Sequence, residues 1–358
     1  MSGAELKAAE QAAKDLLQPF VRSIDADAYY AKPYLIALGA SGLLDSRGRE
    51  DAAVRERGVR LGLLTSRICM TTGFNLWCHL AALTYARHSV NGWLHERLLP
   101  QLERGKRLGG TGLSNPMKHY AGMEELRLRA ERTEDGRMLH GLLPTVSNLG
   151  DEHWFGVVAG AATPSNPYTK PVMLFVPCDV ERLALSERTG YLGINGSATY
   201  ACRFDGVRVP DEWIIDEDAD AFVSRIRATF VLYQIPLGLG VLQSAVQAVR
   251  RQRETQGGAS LHLPVGAEQL GEQAKRLEMR LLDLAAAPDL DARWREVLQL
   301  RLDTAYAALQ GVQSEMLHRG GSAYTLHCSS SRRLREAYFF AALTPTVKHL
   351  EQLLNVPT

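Results

Sequence analysis

The stretch Thr189–Pro210, TGYLGINGSATYACRFDGVRVP, differs from everything before and after it in the chain. It begins with three glycines within seven residues, Gly190, Gly193 and Gly196, then runs into an alternating segment that stops at a proline. Close glycines predict turns and close backbone approaches, and period-two alternation predicts a half-buried strand. The long segments on both sides have helical spacing instead. The sequence therefore predicts a β module between two helical blocks.

Helical spacing dominates the N-terminal block. Apolar residues recur every three or four positions over 4–25, and similar patterns follow over about 52–70 and 74–87. The pattern then changes to short runs bounded by turn residues, such as ELRLRAER and PVMLFVP. Many short strands joined by turns are typical of an antiparallel sandwich or barrel. We expect a helical domain over residues 1–106 and a central β domain over residues 107–216.

Helical spacing returns in the last block, residues 217–358. Its first segment, from about residue 219 to 256, is mostly apolar, and Pro236 is expected to kink it. Further helical segments follow over 265–287, 289–319 and 332–354. Helices that are apolar on several sides are buried, so this block is expected to form a four-helix bundle. The predicted fold class is α+β, mainly α.

Composition argues against several classes of protein. With 41 basic and 40 acidic residues, there is no electrostatic case for nucleic acid or an anionic membrane. No apolar run approaches the ~20 residues needed to cross a bilayer, and the N-terminus does not resemble a secretory signal. Five scattered cysteines without C-x-x-C spacing argue against a disulfide framework or a zinc site. We expect a cytoplasmic protein, with Cys202 as a packed thiol.

Three strings resemble consecutive motifs of one family. HERLLPQLERGKRLGGTGLSNP (95–116) is similar to LP-x-L-x-x-G…TEP, and HGLLPTVSN (140–148) is similar to GxKxWITN. The opening stretch, 189–210, resembles LGxRGSxTxxxxFxxVxVP most closely. The family is the acyl-CoA dehydrogenase superfamily of flavoproteins.

Three strings of the C-terminal block continue the family's order. LGLGVLQSAVQAVRRQRETQGG (237–258) resembles the helix that ends in RxxFG. HRGGSAYT (318–325) resembles GGxGY, and RRLREAYFFAALTPT (332–346) resembles yRDaxxxxxxEGT. The ordered set implies the family's fold: N-terminal helices, a β domain and a C-terminal four-helix bundle.

The resemblance implies FAD, held between the β domain and the bundle. Ser147 takes the position of the family's hydroxyl that donates near flavin N5, while Thr111 and Ser114 take positions that contact the isoalloxazine ring. Arg253 stands where an arginine meets the diphosphate, often across a subunit boundary. The other implied cofactor positions are Thr145, Gln256, Gly320, Gly321 and Thr346.

Each of these residues also has a plainer interpretation. Serine and threonine are ordinary at strand ends, Arg253 suits a helix C-terminus, and Gly320 and Gly321 can simply end the preceding helix. The chain also departs from the family where Thr145 replaces a tryptophan and Gln256 replaces a stacking phenylalanine. Both interpretations stay open at this point.

The reaction centre departs further. A dehydrogenase of this family removes the α-proton of an acyl thioester with a carboxylate, usually the glutamate of Glu-Gly-Thr. Thr344 stands at that position, followed by Pro345. A threonine hydroxyl is too weak an acid for its conjugate base to do this work. His318, His327 and His349 are near this site in sequence and could serve other chemistry.

Three functions follow from the resemblance. The first is oxidation of the CH–CH bond of an acyl thioester such as an acyl-CoA, the second a flavin-dependent monooxygenase reaction, and the third a non-catalytic role that keeps only the fold. The resemblance also implies a homo-oligomer, a dimer or tetramer through the C-terminal bundle, and an electron-transfer partner. No motif for a metal site is present.

Overall fold

The computed structural model describes residues 1–161, 170–252 and 256–355, the last range without the side chains of residues 256 and 257. Helices lie on both sides of a central pair of β-sheets, which confirms the predicted fold class. The helices before the sheets are α1 (Gly3–Leu16), α2 (Val21–Ala26), α3 (Lys32–Ala40), α4 (Asp51–Ile68), α5 (Met70–His88) and α6 (Leu99–Glu103).

The central region contains eight strands and one short helix among the described residues. They are β1 (Gly109–Thr111), α7 (Ser114–His119), β2 (Leu128–Arg132), β3 (Gly136–Val146), β4 (Trp154–Ala159), β5 (Val172–Pro177), β6 (Leu183–Glu187), β7 (Tyr200–Pro210) and β8 (Ile214–Asp216). The helices that follow are α8 (Ala219–Leu232), α9 (Ile235–Gln252), α10 (Ala267–Ala286), α11 (Trp294–Arg319), α12 (Ser329–Ala342) and α13 (Val347–Asn355). Short 3₁₀ segments cover Gln18–Phe20, Asn195–Ser197, Asp211–Trp213, Gln256–His262 and Gly320–Tyr324, and a π-helical turn covers Leu94–Leu98.

Two four-stranded sheets form the centre, with strand orders β1-β4-β5-β8 and β2-β3-β7-β6. The described pairs are antiparallel except β1 with β4, which is parallel. The sequence predicted only antiparallel pairs, so the parallel pair of β1 and β4 corrects that prediction. The two strands can run in the same direction because α7, β2 and β3 connect them, which is longer than the tight turn of an antiparallel hairpin. Phe155, Leu174 and Phe204 pack between the sheets, and the Cys202 thiol is buried among them as predicted.

The stretch Thr189–Pro210 joins the sheets to both groups of helices. Its second half is β7, which lies between β3 and β6. A Cβ on Gly196 would lie 2.5 Å from the carbonyl oxygen of Tyr29, so only glycine permits this close approach to the N-terminal helices. Asn75 of α5 donates to the Gly196 carbonyl (3.2 Å), and Arg335 of α12 donates to another carbonyl of the stretch (3.1 Å). The stretch therefore connects the β-sheets to the helices on both sides of it in the chain.

The C-terminal helices differ from the prediction near two prolines. The chain breaks between α8 and α9 just before Pro236, instead of only bending there. The single helix predicted over 332–354 is two helices, α12 and α13, separated by a turn that contains a cis Thr344–Pro345 peptide bond. Proline cannot continue the hydrogen-bond ladder of α12, because it has no N–H. The break matters because it exposes Thr344 to the cleft described below.

Contrary to the expectation from the sequence, one described stretch, Ala219–Gln252, is long and apolar enough to span a membrane by length and composition alone. In the folded chain 89% of its most apolar window is buried inside the protein. Its second half, α9, packs against α4 and α11. The apolar character of this stretch is therefore accounted for by helix packing.

Candidate functional site

A cleft opens where the sheets meet both groups of helices. It encloses about 690 Å³ between protein atoms, part of which is open to solvent. Five residues that the sequence predicted for the site line it: Thr111, Ser114, Thr145, Ser147 and Thr344. They come from β1, α7, the end of β3 and the turn before α13, so the fold brings together residues that are far apart in the chain.

The helical wall of the cleft is aromatic. Phe74 and Trp77 of α5 stack with ring centroids 5.5 Å apart, and Trp77 meets Phe230 of α8 edge-on at 5.0 Å. Phe339 of α12 contacts Phe74 edge-on, also at 5.0 Å. The indole N–H of Trp77 donates to the Phe230 carbonyl (3.0 Å), which fixes the ring. This wall is apolar and suits the face of a planar ligand.

The part of the cleft lining that the β domain supplies, here called the hydroxyl wall, carries hydroxyl groups. Thr111 Oγ1 lies 2.7 Å from the Tyr85 hydroxyl. Ser147 Oγ lies 2.7 Å from Thr199 Oγ1, which lies 2.7 Å from Ser197 Oγ. Thr111 and Ser147 also face each other in an isolated antiparallel bridge between their two segments. The β domain therefore contributes a hydrogen-bonded group of hydroxyls to a cleft whose helical wall is aromatic.

Thr344 closes one end of the cleft. Its hydroxyl lies 3.1 Å from Ser114 Oγ, and its carbonyl accepts from the side-chain amide of Gln234 (2.9 Å). Gln234 Oε1 in turn accepts from Arg301 Nε (3.1 Å). Arg301 is fully buried and also donates to the Phe340 carbonyl (2.7 Å), at the end of α12. Arg301 and Gln234 thus hold the turn that places Thr344 at the cleft.

The described lining of the cleft contains no aspartate, glutamate, histidine, lysine or arginine. Its ionisable residues are Cys78 and Tyr191. Burial raises the pKa of the Cys78 thiol well above its ordinary value, and burial also raises the pKa of Tyr191. Both are therefore neutral near pH 7, and neither is placed to act as a strong base.

Of the other predicted residues, Gly320, Gly321 and Thr346 are described, and they do not belong to the cleft lining. Gly320 has φ +65° and directly follows α11, which agrees with the helix-ending interpretation, and Gly321 follows it. The Thr346 hydroxyl accepts from the backbone N–H of His349 (3.3 Å) at the start of α13. Arg253 lies outside the described residues, as does the side chain of Gln256. A cofactor role for these five residues stays a prediction.

The three histidines considered from the sequence do not line the cleft either. His318 contacts the Val265 carbonyl (2.9 Å), and His327 lies 3.3 Å from Asp25. His349 is buried in a different cavity, beside α7 and α8, and burial lowers its pKa. Histidine chemistry in the cleft therefore has no candidate among the described lining residues.

The residues of the aromatic wall and Thr199 were not predicted from the sequence. Phe74 and Trp77 lie in α5, which is buried along almost its whole length, and Phe230 lies in the buried last turn of α8, so periodicity could not single out the face that meets the cleft. Thr199 could have been found, because it is the threonine of the motif LGxRGSxT within the opening stretch. Its hydrogen bond to Ser147 supplies the reason for its position.

The residues present fit the ring of a flavin. Such a ring has two apolar faces and an edge with nitrogen and oxygen atoms, and the cleft lining combines aromatic side chains with hydroxyl groups. The described cleft lining holds no cation for the diphosphate. That group would need residues elsewhere, such as Arg253.

Comparison with solved structures shows that the chain has the acyl-CoA dehydrogenase fold. It is similar to butyryl-CoA dehydrogenase from Megasphaera elsdenii at 15% identity and TM-score 0.85, over 99% of this chain and 97% of that one. Glutaryl-CoA dehydrogenase from Mycobacterium smegmatis is similar at 16% identity and TM-score 0.83, over 99% and 94%. Dibenzothiophene monooxygenase from Paenibacillus sp. A11-2 is similar at 16% identity and TM-score 0.81, over 98% and 96%. No protein-family model and no curated protein matches the sequence.

Proposed function

We propose that this protein is an FAD-dependent oxidoreductase whose flavin ring lies in the cleft. The observation that supports the proposal most directly is the two-part lining of the cleft, aromatic from the helices and hydroxyl-bearing from the β domain. Five of the residues that the family resemblance implied for the site line this one cleft. The cofactor would supply electron transfer, while Phe74 and Trp77 cover the ring and Thr111 and Ser147 meet its polar edge.

Purified protein is expected to be yellow or to become so on addition of FAD, because the cleft is formed by the chain's own residues. The measurement is the absorption spectrum after removal of free flavin, with riboflavin as a control for the diphosphate's contribution. A colourless protein that takes up no FAD would overturn the proposal and favour the non-catalytic alternative.

Two reactions are candidates for the proposed enzyme. Oxidation of an acyl thioester at its CH–CH bond has the support of the family resemblance and of the fold of butyryl-CoA dehydrogenase. It requires a base for the α-proton, however, and the described cleft lining offers only hydroxyls, a thiol and a phenol. This uncharged lining favours the second candidate, a monooxygenase, since dibenzothiophene monooxygenase has the same fold.

The two reactions differ in the source of electrons. A dehydrogenase would be bleached anaerobically by acyl-CoA substrates alone, whereas a monooxygenase would be bleached by a reductase with NADH. Rapid anaerobic bleaching by any member of an acyl-CoA panel would refute the preference for the monooxygenase. An electron-transfer partner is part of the proposal in either case.

Thr344→Glu is expected to create or raise reduction of bound flavin by an acyl-CoA, because it places a carboxylate at the end of the cleft. A positioned general base contributes roughly 10²–10⁴-fold, so a rise of about 100-fold in the anaerobic bleaching rate is expected. The control is Thr344→Gln, because the glutamine side chain is nearly the same size as that of glutamate but has no carboxylate. This variant should not raise the bleaching rate. Equal rates for the two variants would count against Thr344 as the base position.

A homo-oligomer through the C-terminal helices belongs to the same proposal. Leu317 and Tyr324 are exposed by 65% and 91% in the single chain, next to Leu326, which is also exposed. Exposed apolar side chains that follow closely along the chain favour a protein partner, and the proposed partner is a second copy of the chain.

A further inference from the structure

Arg301 places a positive charge behind the end of the cleft that Thr344 closes. Its guanidinium is fully buried, and one terminal nitrogen, Nη1, has no hydrogen-bond partner among the described residues. The other terminal nitrogen lies 3.5 Å from the carbonyl oxygen of Leu343. Leu343 and Thr344 both line the cleft. The charge is therefore in contact with the backbone of the cleft lining, although no charged side chain belongs to the described lining itself.

This charge has no carboxylate partner among the described residues. Arg301 belongs to α11 and contacts the end of α12, and the buried glutamates of these two helices are already paired with other arginines. Glu315 accepts from Arg333 (2.8 Å), and Glu336 accepts from Arg332 (2.8 Å). Burial lowers the pKa of Arg301 to about 9, so the guanidinium still carries its charge at pH 7. The described acidic side chains therefore leave a buried cation unneutralised, which is rare because it is costly.

The end of α12 offsets part of the charge. Arg301 donates to the carbonyl of Phe340, in the last turn of α12, and lies near that of Leu343. The last carbonyls of a helix carry a partial negative charge equal to about half a unit. About half of the positive charge therefore remains, and we expect a positive potential at the Thr344 end of the cleft.

We infer that the Thr344 end of the cleft binds the negatively charged group of an acidic substrate, and that Arg301 is the positioning residue that selects this group through the intervening turn. The inference rests on the proposed function and adds the chemical class of the substrate, an organic anion such as a carboxylate or a phenolate. The hydroxyls of Thr344 and Ser114 lie 3.1 Å apart at this end. Their mutual hydrogen bond uses one of their two protons, so the other is available to an oxygen anion.

A thiol placed at this end of the cleft reports the potential there without any cofactor. In Thr344→Cys, the ratio of thiolate to thiol is measured from the pH dependence of alkylation, with peptide mass spectrometry to separate position 344 from the five native cysteines. A unit charge on the order of 10 Å away, in a medium of effective dielectric constant ~20, changes an ionisation equilibrium roughly tenfold. Because the helix end offsets about half of the charge, we expect the ratio to fall about threefold to fivefold when Arg301→Met is added.

Two further variants separate the charge of Arg301 from its structural role. Gln234→Glu keeps an acceptor for Arg301 Nε and adds the missing carboxylate, so it should lower the thiolate ratio although the arginine is still present. Arg295→Met makes the same chemical change at an exposed arginine of α11 and should leave the ratio unchanged. Ser114→Cys is the second reporter, in case Thr344→Cys does not fold. A thiolate ratio that does not respond to Arg301→Met or to Gln234→Glu would overturn the inference.

Ligand binding tests the class of the substrate in the FAD-loaded protein. The dissociation constants of benzoate and 4-nitrophenolate are compared with those of benzamide and nitrobenzene, using the change in the flavin absorption spectrum. Arg301→Met should weaken binding of the two anions about threefold to fivefold and leave the two neutral ligands unchanged. Equal effects on anions and neutral ligands would refute the assignment to the substrate. A protein that takes up no FAD would refute the proposed function, and the thiolate ratio would still decide whether Arg301 favours an anion in the cleft.

Discussion

Arg301→Ala is expected to lower the free energy of unfolding by about 3–5 kcal/mol, which is the range for emptying a large buried site and leaving its polar partners unpaired. Arg301 Nε donates to Gln234 Oε1 (3.1 Å), and one terminal nitrogen donates to the Phe340 carbonyl (2.7 Å). The guanidinium also lies 3.5 Å from the centre of the Phe340 ring. Truncation would remove these contacts together and release the turn that carries Thr344.

Burying the positive charge of Arg301 is unfavourable and offsets part of the stabilisation that its contacts provide. No carboxylate among the described residues forms an ion pair with it, and burial lowers its pKa. A buried charge without a counter-ion is costly, and replacing such a group by an apolar residue of similar volume often costs little. Arg301→Met is therefore expected to be less destabilised than Arg301→Ala, by about 2 kcal/mol.

Urea unfolding of the cofactor-free protein, followed by circular dichroism, measures both variants. A loss below about 1 kcal/mol for Arg301→Ala would contradict the role assigned to this residue, as would a greater loss for Arg301→Met than for Arg301→Ala.

The fold was predictable because its signals are local. The three close glycines and the alternating residues of Thr189–Pro210 predict a turn and a strand, and β7 confirms the strand. The helix and strand periods on the two sides follow from which faces are buried. The parallel pairing of β1 with β4 was not predictable in this way, because pairing partners depend on contacts between distant segments.

The site was predictable only in part. The hydroxyls at 111, 114, 145, 147 and 344 were identified from their positions within motifs, and the cleft unites them. Phe74 and Phe230 were missed because α5 and the last turn of α8 are buried all round, so their residue pattern shows no special face. The turn at Thr344 was placed inside a continuous helix, because the pattern of apolar residues continues across it although Pro345 ends the hydrogen-bond ladder.

Protonation of two buried histidines in acid should destabilise the folded protein. His79 is fully buried, its Nδ1 accepts from the Gly109 N–H (2.9 Å), and its Nε2 contacts the Leu102 carbonyl (3.1 Å). Because a backbone N–H can only donate, this histidine must be neutral with its proton on Nε2. Burial lowers the pKa of His79 to about 4. His153, on the loop before β4, is also buried, and burial lowers its pKa to about 4.

The sign of the pH effect follows from proton binding. In the unfolded chain both histidines take up protons near their ordinary pKa of 6.5, whereas in the folded protein they do so only near 4. Between these values the unfolded state binds more protons, so the free energy of unfolding falls as the pH falls. The expected loss is roughly 3 kcal/mol for each histidine between pH 6.5 and 4, since one pKa unit corresponds to about 1.4 kcal/mol.

His79→Gln is expected to lose this part of the pH dependence. Glutamine can accept from Gly109 and donate to Leu102 without titrating, so the variant should be weaker than the wild type at pH 7.5 and approach it by pH 4.5. Urea midpoints measured from pH 7.5 to 4.5 at constant ionic strength give both slopes. Carboxylates such as Asp25 also bind protons in acid, and subtracting the variant's curve from that of the wild type removes their contribution. His153→Gln is the second test, in case His79→Gln does not fold. Parallel curves for the wild type and both variants would show that neither histidine is held neutral in the folded protein.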